Sequence, residues 1–91
     1  MAKIKFRPPT DEDIYQLGQQ LRQQDLEELA VSCQLSPDEA VLQSVLASDP
    51  EFLFAAHINN QLICIGGCST IGVPWLLGTD LLNTVAYSLT R

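Results

Sequence analysis

The stretch that most constrains this chain is a pair of apolar runs, "FLFAAHI" (52–58) and "QLICI" (61–65), separated only by Asn59-Asn60. Asparagine tolerates positive φ, so two of them between such runs predict a two-residue hairpin turn. With the turn centred there, Ile58 faces Gln61, Ala56 faces Ile63 and Phe54 faces Ile65. The other face then carries His57 with Leu62 and Ala55 with Cys64. Both faces are mostly apolar, and a sheet of that kind must be covered on both sides. The expectation is a layered α/β (α+β) domain, a mixed and mostly antiparallel sheet with helices on both faces and this hairpin at its centre.

The flanking segments supply the other elements. "KIKFR" (3–7) alternates as a strand does, and Pro8-Pro9 ends it. Thr10 reads as a helix N-cap, with Asp11, Glu12 and Asp13 in the first turn, where the helix dipole favours negative charge. Ile14, Leu17 and Leu21 then recur at helical spacing over about three turns. A second helical piece runs through "DLEELAVSC", with Leu26, Leu29, Ala30 and Cys33 on one side. A third starts at Ser36, with Pro37 at the first helical position and Glu39 three residues after the cap, a capping box. Its apolar side is Val41, Leu42, Val45 and Leu46, and Asp49-Pro50 stops it. Gly66-Gly67 break the second hairpin strand and imply a bulge or a close backbone approach. Residues 73–77 form a last strand that passes at Thr79 or Asp80 into a helix with Leu81, Leu82, Val85 and Leu89 on its apolar side.

The chain has 91 residues, enough for a single domain spanning 1–91, and a net charge of −6. Binding to nucleic acid needs clustered Lys and Arg. The one basic grouping here, Lys3, Lys5 and Arg7, alternates along one strand and reads as a solvated edge. No apolar run approaches the roughly 20 residues of a membrane helix. The three cysteines, Cys33, Cys64 and Cys68, are odd in number and irregular in spacing, which implies no disulfide framework. In a regular strand Cys64 and Cys68 stand roughly 13 Å apart, too far to share a metal. Both read as buried small hydrophobes. His57, the single histidine, reads as a partly exposed residue near the turn, because general-base work needs a groove and an orienting partner. Ser69 and Thr70 read as turn hydroxyls bonding their own backbone, and Trp75 as core. No residue stands out as catalytic or as a metal ligand.

The order strand, two or three helices, hairpin, strand, helix resembles the N-terminal half of the GNAT (Gcn5-related N-acetyltransferase-like) fold. "IKFRPPTDEDIYQL" looks like its opening strand and helix, with Arg7, Thr10 and Asp13 at the Arg-x-x-Thr-x-x-Asp spacing frequent there. More narrowly, "GGCSTIGVPWLLGTDLL" resembles phage proteins with a GNAT-like fold, related to the gene-thirteen internal virion protein of T7-like podoviruses. The resemblance implies a phage protein in the host cytoplasm or virion that acts through protein contacts, with no cofactor and no acetyl transfer. Enzymes of the fold hold the pantetheine arm of acetyl-CoA on the strand equivalent to 73–77 and its pyrophosphate at the following helix start. An alternative is therefore an acyl-CoA-dependent N-acyltransferase completed by a longer chain or a second subunit, with Trp75, Leu76, Leu77, Gly78 and Thr79 on acetyl-CoA. A third is a free-standing interaction module. The turn Gly78-Thr79-Asp80 has one glycine, no arginine and a carboxylate where a pyrophosphate would sit, which favours a capped turn over a cofactor cradle. The later parts of the GNAT fold are absent, and the resemblance then implies either a truncated or cleaved form or a partner that completes the sheet. The last strand is then an open edge, and self-association is expected through strand 73–77 or helix 80–90.

Overall fold

The computed structural model describes residues 3–23, 25–27 and 36–90, the last five by their backbone alone. The elements are β1 (Lys5–Arg7), α1 (Asp11–Gln20), α2 (Pro37–Leu46), a 3-10 turn (Pro50–Phe52), β2 (Phe54–Ile58), β3 (Gln61–Cys68), β4 (Pro74–Gly78) and α3 (Asp80–Thr90). The strands form one four-stranded sheet in the order β1-β2-β3-β4. Every pairing among the described residues is antiparallel, so the α+β class holds and no described strand makes the sheet mixed. The β2–β3 hairpin is central, as its two apolar faces require.

Local chemistry accounts for most element boundaries. Thr10 accepts from the Asp13 N–H at 3.2 Å while the Asp13 carboxylate accepts from the Thr10 N–H at 3.0 Å, a reciprocal box at the start of α1. Ser36 accepts from the Glu39 N–H at the start of α2, where Pro37 holds the first position. The Ser36 hydroxyl also donates to the Glu39 carboxylate, so the return contact is between side chains. Asn59 and Asn60 turn the hairpin with φ of +50° and +63°. Phe52, the expected start of the first hairpin strand, instead ends the 3-10 turn Pro50–Phe52, which the Asp49 side chain caps, and β2 begins at Phe54.

The register departs from the expected one after two pairs. Ile58 does face Gln61 and His57 does face Leu62, but Ala56 then faces Cys64, Ala55 faces Ile65 and Phe54 faces Gly66. Ile63 is the extra residue of a β-bulge. Consecutive residues Ile63 and Cys64 therefore join the same side-chain cluster, which unbroken alternation would forbid. Gly66-Gly67 do not break β3, which runs to Cys68. Gly66 marks a close approach, since a Cβ there would lie 2.7 Å from the Phe54 ring and 2.9 Å from Leu76.

Two apolar clusters pack against the sheet. One joins Leu17 and Leu21 of the α1 segment and Val41 of α2 to Ala55, Leu62, Ile65 and Leu77, with Trp75 and Leu26 at its margin. The other joins Ala56, Ile63 and Cys64 to Ile4, Phe54 and, from α3, Leu81, Leu82 and Val85. The α2 face differs from expectation: Ala40 and Val41 are buried, whereas Leu42 and Leu46 are 46% and 74% exposed. Leu29, Ala30 and Cys33 of the second helical piece, and the Leu89 side chain, lie outside the described residues. No helix among the described residues is long and apolar enough to cross a membrane.

Candidate functional site

The junction of β4 and α3 brings the singled-out segment 75–79 together. Trp75 is half-buried and its indole N–H donates to the Ser48 hydroxyl at 2.6 Å. Leu76 is 44% exposed, while Leu77, Gly78 and Thr79 are buried. The Gly78 N–H donates to a carboxylate oxygen of Asp25 at 2.9 Å, and the Gly78 carbonyl accepts from the Arg22 N–H at 2.9 Å. Arg22 in turn holds Asp25 with Nε at 2.8 Å and Nη2 at 3.1 Å, and reaches Asn83 of α3 with Nη1 at 2.9 Å. Thr79 closes the other side. Its N–H donates to the Ile63 carbonyl at 2.9 Å, and its hydroxyl lies 3.0 and 3.1 Å from the Leu62 and Ile63 carbonyls. That hydroxyl therefore anchors the bulge. Asp80 follows as the first residue of α3 and is exposed. Burial pushes the nearby Cys64 thiol up, against the opposing pull of the Arg22 charge.

A cavity of about 550 Å³ opens beside this junction, bordered by Gln16, Gln20, Thr79 and Asp80 among others. Its polar border is carboxamide, hydroxyl and the Asp80 carboxylate rather than cationic. It offers hydrogen bonds without a compensating charge for an anion.

A second site is a buried polar cluster at the other end of the sheet. His57 is 9% exposed and Asp13 is 4% exposed, so the histidine is not the partly exposed turn residue expected. The His57 Nε2 lies 3.0 Å from Asp13 Oδ1, and Arg7 Nη2 lies 3.2 Å from the same oxygen and 3.1 Å from that nitrogen. A carboxylate oxygen only accepts, so a hydrogen on Nε2 is what makes this contact a bond. Burial alone would raise the Asp13 carboxyl. The Thr10 N–H, the His57 ring, the Thr10 hydroxyl and the His57 charge outweigh it and hold the group below the usual aspartate value of 3.8. Asp13 is thus more than helix-start charge: it is the orienting partner that a working histidine needs. No local pattern reveals this, because 44 residues separate the two.

The remaining candidates separate. Cys64 is buried and Cys68 half-buried, both as free thiols. The Ser69 hydroxyl accepts from the Val73 N–H at 3.0 Å, a turn bond made within its own loop. Among the described residues no group of three or more His, Cys, Asp or Glu could hold a metal ion. No protein-family model, curated protein or solved structure matches this chain.

Proposed function

We propose that this chain is a protein-contact module on a GNAT-like half-fold, a phage protein acting in the virion or the host cytoplasm without acyl transfer. The observation that carries this reading is the occupied backbone of Gly78. A phosphate-bearing cofactor at a strand-to-helix junction relies on free backbone groups and positive charge. Here Asp25 takes the Gly78 N–H, Arg22 takes its carbonyl, and Asp80 adds a carboxylate at the helix start. The element order supports the family resemblance. Exposed Phe6, Leu46, Phe52, Ile71 and Val73 supply apolar surface for protein contacts. Self-association runs through α3 and the apolar groove beside it, bordered by Ile4, Phe6, Leu82 and Val85.

Calorimetry with acetyl-CoA together with sedimentation velocity tests the reading. Expected are no binding tighter than about 100 μM, near −5.5 kcal/mol, and a sedimentation coefficient that rises with concentration. Tight acetyl-CoA binding overturns this reading in favour of an acyl-CoA-dependent N-acyltransferase completed by further chain. A monomer at every concentration counts against self-association.

A further inference from the structure

We propose that the cavity lined by Lys3, Lys5, His57, Asn59 and Asn60 is a binding site for a single phosphate group. The cavity measures about 270 Å³ and lies at the turn end of the hairpin, where Lys5 of β1 stands opposite His57 of β2. Three of the chain's five Lys and Arg fall within residues 3–7, in a chain of net charge −6. Arg7 is committed to Asp13. Lys3 and Lys5 are exposed, and among the described residues neither forms an ion pair. Two ammonium groups match the two charges of a phosphate monoester or of inorganic phosphate.

The His57 ring is an independent observation. Its Nε2 is engaged with Asp13, while its Nδ1 is buried and has no hydrogen-bond partner. A buried ring nitrogen left unsatisfied is costly and calls for an explanation. The ring borders the cavity, and an oxyanion that displaces the groups covering Nδ1 gives it the partner it lacks, accepting an Nδ1 hydrogen while Nε2 stays on Asp13. The positive φ at Asn59 and Asn60 sets the tight turn that brings both residues to the border of the same cavity.

A single histidine makes the test direct, because its ring signals in an NMR spectrum are unambiguous. Inorganic phosphate is titrated into the protein near neutral pH at constant ionic strength, with phenyl phosphate and acetate in parallel. The His57 ring signals are expected to shift saturably with phosphate, with a midpoint below about 10 mM. In the Lys3→Gln/Lys5→Gln variant the midpoint is expected to rise at least about fivefold, and the amide spectrum checks that the fold is kept. Equal midpoints for phosphate and phenyl phosphate assign the site to the free ion, and a tighter phenyl phosphate assigns it to a monoester. A linear, unsaturating shift overturns the proposal. So does a midpoint unchanged in the double variant, or acetate saturating at the same midpoint.

Discussion

Replacing Asp25 with alanine tests the clamp at the end of β4 most directly. The carboxylate is 2% exposed and accepts from Gly78 N–H, Arg22 Nε and Arg22 Nη2. Its loss leaves the Gly78 amide buried without an acceptor, which costs about 1–3 kcal/mol. It also breaks a largely buried charge pair, worth about 3–5 kcal/mol where no other partner exists. Arg22 keeps Asn83 and its side chain is 17% exposed, so the second cost is only partly felt. The sum is about 2–4 kcal/mol. A chain of this length has about 5–14 kcal/mol of stability in all, and the melting point should fall by about 10–25 °C.

The assay is urea unfolding of wild type, Asp25→Ala and Asp25→Asn, read with amide hydrogen exchange. Asparagine keeps an oxygen for the Gly78 N–H and loses the charge, so it should cost about half as much as alanine. In the alanine variant the Gly78 amide should exchange faster than the neighbouring Thr79 amide, which remains bonded to the Ile63 carbonyl. A stability change below about 0.5 kcal/mol, the range of an ordinary surface substitution, refutes the clamp. So does an unchanged Gly78 exchange rate.

Three further outcomes concern Asp13, Thr79 and the two described cysteines. The Asp13 carboxyl sits below 3.8 in the folded chain, so its contribution to stability is complete above that value and drains away as pH falls below it. Asp13→Asn should cost about 1–3 kcal/mol near neutrality and converge with wild type in acid, as a pH series of denaturation midpoints will show. Thr79→Val keeps the shape but removes the hydroxyl that caps the Leu62 and Ile63 carbonyls, and should cost about 1–2 kcal/mol in urea unfolding. Burial holds the Cys64 thiol protonated, so a thiol reagent on the folded chain should label half-buried Cys68 well before Cys64, as peptide mapping will resolve.

The parts of the fold legible in the sequence are those written in short-range chemistry. Thr10 and Ser36 start helices because their hydroxyls accept from amides three residues on, and Asn59-Asn60 turns the chain because both residues accept positive φ. The bulge at Ile63 left no such signature. Both faces of the hairpin are apolar, so a one-residue slip exposes nothing polar and the alternation cannot choose a register. The bulged register is the one in which the hydroxyl of Thr79, 16 and 17 residues away, reaches the Ile63 and Leu62 carbonyls, a contact that no local pattern carries. The buried face of α2 is hidden in the sequence for a related reason: its apolar residues surround more than one side, and packing against α1 decides that Val41 points inward while Leu46 does not. Asp13 with His57 and Asp25 with Gly78 are likewise long-range pairs whose members look ordinary in isolation.

The bonding at Gly78 also limits how two chains can meet. Because Gly78 turns both backbone groups away from β3, the alternation of an antiparallel ladder turns those of Leu76 and Pro74 the same way. Proline has no N–H to give, and Gly78 is already bonded to Asp25 and Arg22. Within β4 that leaves the N–H and C=O of Leu76 as the one complete pair free for a strand from outside. Two copies aligned head to tail across this edge would exchange two hydrogen bonds at Leu76, and their next pair would set Pro74 against a Gly78 that is already bonded. Proline and an inward-reaching charge are the devices by which sheet edges avoid unwanted pairing. An edge so blunted cannot supply the energy of a stable complex by backbone bonding. Association has to draw on side chains, and the apolar groove between β1 and α3, where Phe6 is 67% exposed, is the surface able to provide them.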